Sequence, residues 1–202
     1  MSFFENTRKP VGFGGKLMVA MMNLGHSPVA RWGLRFLEPA PDAEVLDCGC
    51  GGGANIKRLL KKCPQGIVRG IDYSPVSVEK TKKVNRAAIA AGRCAVQQAS
   101  VAELPFEADR FDAVTAFETV YFWPDLPNCF REVRRVLKSG GVFLICNESN
   151  GDTDKDEKWT EIIGGMTIYK DAELKAYLEQ ADFRDVQIYK NRFGWLCVTA
   201  RK

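Results

Sequence analysis

From Glu44 onward the sequence alternates short β-branched runs with stretches of helical period, which restricts the chain to a mostly parallel sheet covered by helices on both faces. Glu44 to Cys48 (EVLDC) reads as the first strand, followed by a helix over Asn55 to Cys63 and a second strand at Ile67 to Asp72 (IVRGID). Ser74 is an N-cap and Pro75 suits the first helical position, so a helix follows with Val78, Thr81, Val84 and Ala88 toward the sheet. Arg93 to Ala99 and Phe111 to Phe117 (FDAVTAF) are strands three and four. A helix over Leu126 to Leu137, stopped by Ser139, Gly140 and Gly141, leads to the fifth strand, Gly141 to Asn147. Asp171 then caps a helix, and two strands follow, Val186 to Tyr189 and Gly194 to Ala200. Their link of Lys190 to Phe193 permits a hairpin but not a parallel crossover, so the sheet is expected to end in an antiparallel pair.

Two pieces lie outside this alternation. Residues 14–37 hold two expected helices, Gly15 to Asn23 and Ser27 to Leu37, placed to lie over the carboxyl edge of the sheet as a lid. Residues 149–168 form a polar insertion with a short helix near Trp159 to Ile163. The length of 202 residues suits one domain over 1–202, with a helical lid over 1–40 and the sheet core over 41–202. The apolar run Leu17 to Met22 is too short for a membrane span and lacks a cleavage site, so a cytoplasmic protein is expected. Seven cysteines, mostly inside apolar runs, read as reduced packing residues. Cys48 and Cys50 are one residue apart and His26 is the only histidine, so no metal is expected. The net charge of +4 comes from clusters interleaved with helical apolar positions, which reads as solvated helix faces rather than a nucleic-acid surface.

The chemistry starts at DCGCGGG, Asp47 to Gly53, where the first strand turns into a helix. Glycines let the backbone pass close to a ligand, and the helix beyond offers unpaired N–H groups, so a nucleotide-like ligand fits there. Gly49, Gly51 and Ala54 also satisfy the relaxed dinucleotide fingerprint, and the loop alone does not separate the two classes. Asp47 does: a carboxylate aimed into that turn repels a pyrophosphate and attracts an ammonium group, directly or through water. Asp72, closing the second strand, can accept hydrogen bonds from both ribose hydroxyls. That feature would serve NAD equally.

Four segments in order, VLDCGCGGG, GIDYSP, ASVAELPFEADRFDAV and REVRRVLKSGGVFLI, resemble the class I S-adenosylmethionine-dependent methyltransferases of the small-molecule type with an LPF…FD segment. The resemblance runs from about Glu44 to Lys202 and implies a doubly wound, seven-stranded α/β sheet that takes S-adenosylmethionine. It implies that Asp47 holds the methionine end beside Gly49, Cys50 and Gly51, that Asp72 holds the ribose, and that Tyr73 packs on the adenine. Where many relatives place an aspartate for the adenine amino group, this chain has Ser100 followed by Val101, so that contact is neutral and weaker.

The reactive end of a ligand lies near the switch in strand order, between the first and fourth strands. There AFETVYFWPDL, Ala116 to Leu126, is dense in aromatics: Phe117 is expected at the cofactor, and Tyr121 and Trp123 at a small-molecule acceptor, with ordinary loop packing as the equal alternative for those two. Phe122 is assigned to packing. If the acceptor carries a hydroxyl or ammonium group, Glu118 and His26 are the candidates for its proton. An NAD(P)-binding oxidoreductase is the competing class, disfavoured by Asp47. A nucleic-acid methyltransferase is disfavoured because the loop lacks an N-P-P-Y or D-P-P-F type of sequence, and a non-catalytic adapter keeping the fold is a further alternative. The acceptor is not identified, and the oligomeric state stays open, a homodimer included.

Overall fold

The computed structural model describes residues 25–202. The expected helix Gly15 to Asn23 lies outside the described residues. Seven strands form one sheet: β1 (Glu44–Cys48), β2 (Ile67–Asp72), β3 (Cys94–Gln98), β4 (Phe111–Phe117), β5 (Leu137–Asn147), β6 (Arg184–Lys190) and β7 (Leu196–Arg201). Their order is β3-β2-β1-β4-β5-β7-β6, with β1 to β5 parallel and β7 antiparallel to both its neighbours. The switch in order falls between β1 and β4, where the motif-bearing loops emerge together.

Helices cover both faces. α1 (Ser27–Gly33) and α2 (Ala54–Lys62) pack on one side, while α5 (Leu126–Val136) and α7 (Asp171–Gln180) pack on the other. The other α-helices among the described residues are α3 (Pro75–Val84), α4 (Arg86–Ala90) and α6 (Asp154–Ile162). The alternation of strand side chains sorts the core into two clusters: Val45, Val68, Leu144 and Cys146 meet Val29, Ile56 and Leu59, whereas Leu46, Val114, Phe143 and Ile145 meet Phe130, Val133, Leu174 and Leu178.

Several local signals act as the sequence implies. The Ser74 hydroxyl accepts a bond from the Ser77 N–H, starting α3 at Pro75. The expected long helix from Ser74 breaks at Asn85, because its buried side chain leaves the helix pattern to donate to the Gly53 and Thr81 carbonyls. α5 starts at Asp125, whose side chain accepts from the Asn128 N–H. The insertion helix is longer than expected, beginning at Asp154 rather than near Trp159.

The hairpin inserts β7, not β6, next to β5. The five buried residues Leu196 to Ala200 need cover on both faces, and β6, with the burial pattern of an exposed strand, takes the edge.

α1 sits directly on β5 and β4 because Gly33 has no side chain. A Cβ there would lie 2.4 Å from the Cys146 Sγ and 3.5 Å from the Phe117 ring, both buried. Gly33→Ala is therefore expected to cost about 1–3 kcal/mol of stability by overpacking, read as a lowered midpoint in urea unfolding. An unchanged midpoint would show that α1 is not seated by this contact. The seven cysteines are all free and buried. Among the described residues, no helix is long and apolar enough to cross a membrane.

Candidate functional site

A cavity of about 390 Å³ opens over the carboxyl ends of β1, β2 and β4, and its walls come from α1, the glycine loop, the β2 and β3 ends and the loop after β4. Of the sequence-derived candidates, Gly49, Cys50, Gly51, Asp72, Tyr73, Ser100, Val101, Phe117, Glu118, Trp123 and His26 all line it. Two do not.

Asp47 is one of them. It lies one layer behind the cavity wall, 1% exposed. The β1–β4 register sets it beside Thr115, whose hydroxyl donates to Oδ1 at 2.8 Å, while Oδ2 has no hydrogen-bond partner. Burial, with the negative charge of Asp72 adding to it, pushes the Asp47 carboxyl up to about 7 against the pull of the Thr115 bond and the Arg58 charge. A buried carboxylate oxygen without a donor is a demand for positive charge nearby.

Tyr121 is the other. It is buried under the loop, its hydroxyl accepting from the Ser149 N–H at 3.0 Å and donating to the Ser149 carbonyl at 3.4 Å. That burial is the loop packing given as its equal alternative, and Phe122, expected to pack, stands half-buried at the cavity wall. The reason is the short 3₁₀ turn over Val120–Phe122, which rotates adjacent side chains to different sides where an extended loop would alternate them. Trp123 lines the cavity and is packed as well: it stacks on Phe143 with centroids 6.1 Å apart and donates from Nε1 to the Thr119 hydroxyl at 3.1 Å.

The glycine loop is held from within. Gly49 and Cys50 both donate their N–H to the Ile71 carbonyl at 2.9 Å, Gly53 donates to the Cys50 carbonyl, and Gly51 donates to Asp72 Oδ2 at 2.9 Å. Gly49 has φ +76°, and a Cβ there would lie 2.3 Å from the Thr119 hydroxyl, so the loop closes against the β4 loop only as glycine. These four amides are used within the protein, so donors for a ligand at this turn are left to the first turn of α2, as expected of a helix start. The loop thus offers shape and a buried carboxylate, not the ring of donors that a diphosphate needs.

Asp72 uses both oxygens on backbone, Oδ2 from Gly51 and Oδ1 from the Ser74 N–H at 2.9 Å, and burial raises its pKa despite those bonds. A carboxylate keeps further lone pairs, so a ribose hydroxyl can still be accepted. The Ser100 hydroxyl accepts from the Ala102 N–H at 3.2 Å, which leaves one acceptor position toward the cavity.

At the other end, three groups converge that sequence spacing does not connect: His26 before α1, Glu118 after β4, and Glu148 after β5. His26 Nε2 lies 3.9 Å from Glu148 Oε2, and the Glu148 N–H donates to Glu118 Oε1. Burial, then the Glu148 charge, pushes Glu118 up to about 8, while burial lowers the pKa of His26 and keeps its imidazole neutral near pH 7. Sequence reasoning missed Glu148, although an acid just beyond a strand's carboxyl end was a usable signal. It also missed Thr119, Asn55 and Arg58, which enter only through packing. Among the described residues, the walls carry Asp72 and Glu118 against one guanidinium, Arg58, whose Nη1 is held by Asn55 and Nη2 by Ser27.

Comparison with known proteins gives the family. Residues 46–145 match the model of a methyltransferase domain. Cycloartenol-C-24-methyltransferase 1 of Oryza sativa subsp. japonica is 34% identical over 105 residues, which cover 52% of this chain and 30% of that enzyme. The ubiquinone/menaquinone biosynthesis C-methyltransferase UbiE of Geotalea daltonii is 31% identical, covering 57% of this chain and 49% of that one. The chain spans less than half the length of these two relatives. A crystal structure of a SAM-dependent methyltransferase from Aquifex aeolicus superposes with a TM-score of 0.75 at 18% identity, covering 92% of this chain and 97% of that one, and so shares the fold. Domain match, sheet order and motif order agree, and the chain belongs to the class I S-adenosylmethionine-dependent methyltransferase family.

Proposed function

We propose that the cavity binds S-adenosylmethionine and that the chain transfers its methyl group to an apolar small molecule carrying one polar group. The unpartnered Oδ2 of Asp47, buried behind the glycine loop, carries this reading, because a cationic amino-acid tail at Gly49 to Gly51 supplies the positive charge that the carboxylate lacks. The residues fit the rest of the cofactor: Asp72 for the ribose, Tyr73 with Ser100 and Val101 for the adenine, and Phe117 toward the sulfonium. When bound, S-adenosylmethionine supplies a methyl group already activated on sulfur.

The chain then contributes position and exclusion of water, with no nucleophilic residue needed. Phe122 and Trp123 wall the far end, and the groups there that could take a proton from a hydroxyl or ammonium acceptor are His26 and, once ionised at a pH near or above 8, Glu118. The two relatives above, named for a sterol and for quinone biosynthesis, support an apolar acceptor. We keep one domain over 1–202, a cytoplasmic location and the absence of a nucleic-acid partner as parts of the same proposal.

The test incubates the protein with methyl-labelled cofactor and a fractionated metabolite pool and asks which fraction takes up label. Calorimetric titration with both cofactors separates the competing class: tight NADH binding with none of S-adenosylmethionine would overturn the reading. Phe122→Ala should raise the acceptor's KM about tenfold, the loss of a half-buried aromatic contact of about 1.5 kcal/mol, and leave cofactor affinity unchanged. A fall in cofactor affinity instead would move Phe122 to the other end of the cavity.

A further inference from the structure

We propose that His26, Glu118 and Glu148 together bind a divalent first-row metal ion at the acceptor end of the cavity. Each residue offers one ligand atom, and these atoms all lie within 4.8 Å of one another, with His26 Nε2 3.9 Å from Glu148 Oε2. Small side-chain rotations bring three such atoms to the separations of a common coordination shell, about 3 Å for ligands 2.0–2.2 Å from an ion.

The three side chains come from three different elements, and each is fixed by the fold. Gly33 seats α1, and with it His26, against Cys146. Glu118 holds a left-handed backbone at φ +58°, a conformation that costs a non-glycine residue about 1–2 kcal/mol. Its N–H donates to the Cys146 carbonyl at 3.0 Å, and its carboxylate accepts from the Glu148 N–H.

One imidazole and two carboxylates, with no thiolate, suit Mn²⁺, Fe²⁺ or Zn²⁺ better than Mg²⁺, which prefers oxygen ligands alone. Three protein ligands leave coordination positions open to water and to an oxygen of the acceptor. An acceptor hydroxyl bound there would release its proton to solvent more readily, and Glu118 and His26 would then hold the ion instead of taking that proton themselves. This consequence rests on the proposed transfer reaction, whereas ion binding does not.

The experiment takes the full chain, strips it with a chelator, and titrates Mn²⁺, Zn²⁺ and Mg²⁺ separately by calorimetry. One Mn²⁺ or Zn²⁺ per chain is expected, bound at least tenfold more tightly than Mg²⁺. Glu148→Gln and His26→Ala should each weaken it at least tenfold. Glu148 is outside the cavity wall, so its variant should still bind S-adenosylmethionine as the parent does, which shows that it is folded. No saturable binding of Mn²⁺ or Zn²⁺, or binding that both variants retain, overturns the proposal. Ion binding without label transfer to any acceptor defeats the transfer reading and leaves the ion site standing. Label transfer by a chain that binds no ion defeats the ion site alone.

Discussion

Asp47→Asn should make the free protein more stable at pH 8 and at the same time weaken its hold on S-adenosylmethionine. Burial raises the Asp47 carboxyl from 3.8 to about 7, so between those values the folded chain carries a proton that the unfolded chain has lost. The stability this group contributes is full below about pH 4 and declines as pH rises to 7. Above that, the folded state holds a charge with one hydrogen bond and an orphaned oxygen. A shift of about three units corresponds to at most about 4 kcal/mol, and asparagine, which cannot ionise yet still accepts from Thr115, avoids that cost. Thermal unfolding of both proteins at pH 5 and pH 8 should show the parent losing more stability across the interval than the variant, in which the raised Glu118 and Asp72 carboxyls still give a smaller decline. Calorimetry should show cofactor affinity down ten- to hundred-fold, the range of about 1.5–3 kcal/mol for a hydrogen bond to a charged group. Saturating cofactor should flatten the pH dependence of the parent. Equal stability of the two proteins at pH 8 would mean that Asp47 is already compensated within the chain, and the argument for a cationic tail would fail.

Asp72→Ala should lower cofactor affinity by about ten- to hundred-fold as well, again about 1.5–3 kcal/mol, but by a different route. It removes the proposed ribose acceptor and also the acceptor of the Gly51 and Ser74 N–H groups, so the glycine loop and the start of α3 lose their common anchor. Two orphaned amides should therefore appear as lost stability in the free protein, with hydrogen exchange quickened at Gly51 and Ser74. This direction is opposite to that of Asp47→Asn at high pH, and the pair distinguishes a carboxylate that organises its surroundings from one kept at a cost for a ligand. Undiminished affinity in the Asp72 variant would reject the ribose role, whatever happened to the loop.

Much of the fold was legible because its signals are local. EVLDC, IVRGID and FDAVTAF are short apolar runs that only a covered strand explains, and Ser74-Pro75 starts a helix wherever it occurs. The lining of the cavity at the ends of β1, β2 and β3 was legible for the same reason, since the doubly wound fold brings strand ends together. The lining contributed by the loop after β4 was less so. One turn of 3₁₀ helix buries Tyr121 and sets Phe122 at the cavity wall, an outcome that no periodicity rule detects in so short a loop. Asn85 breaks a helix that its own propensity would have allowed, because Gly53, distant in sequence, presents a carbonyl to it.

Sequence by itself determined the alternation of strands and helices, the hairpin at the end, and the chemical type of the loop at Asp47 to Gly53, since each depends on neighbours within one element or one turn. Tertiary structure decided where Asp47 stands relative to the cavity, which strand flanks β5, and that His26, Glu118 and Glu148 meet. Those outcomes depend on strand register and on the seating of α1 against Cys146, contacts between residues far apart in the chain whose geometry is fixed only when the whole core is packed.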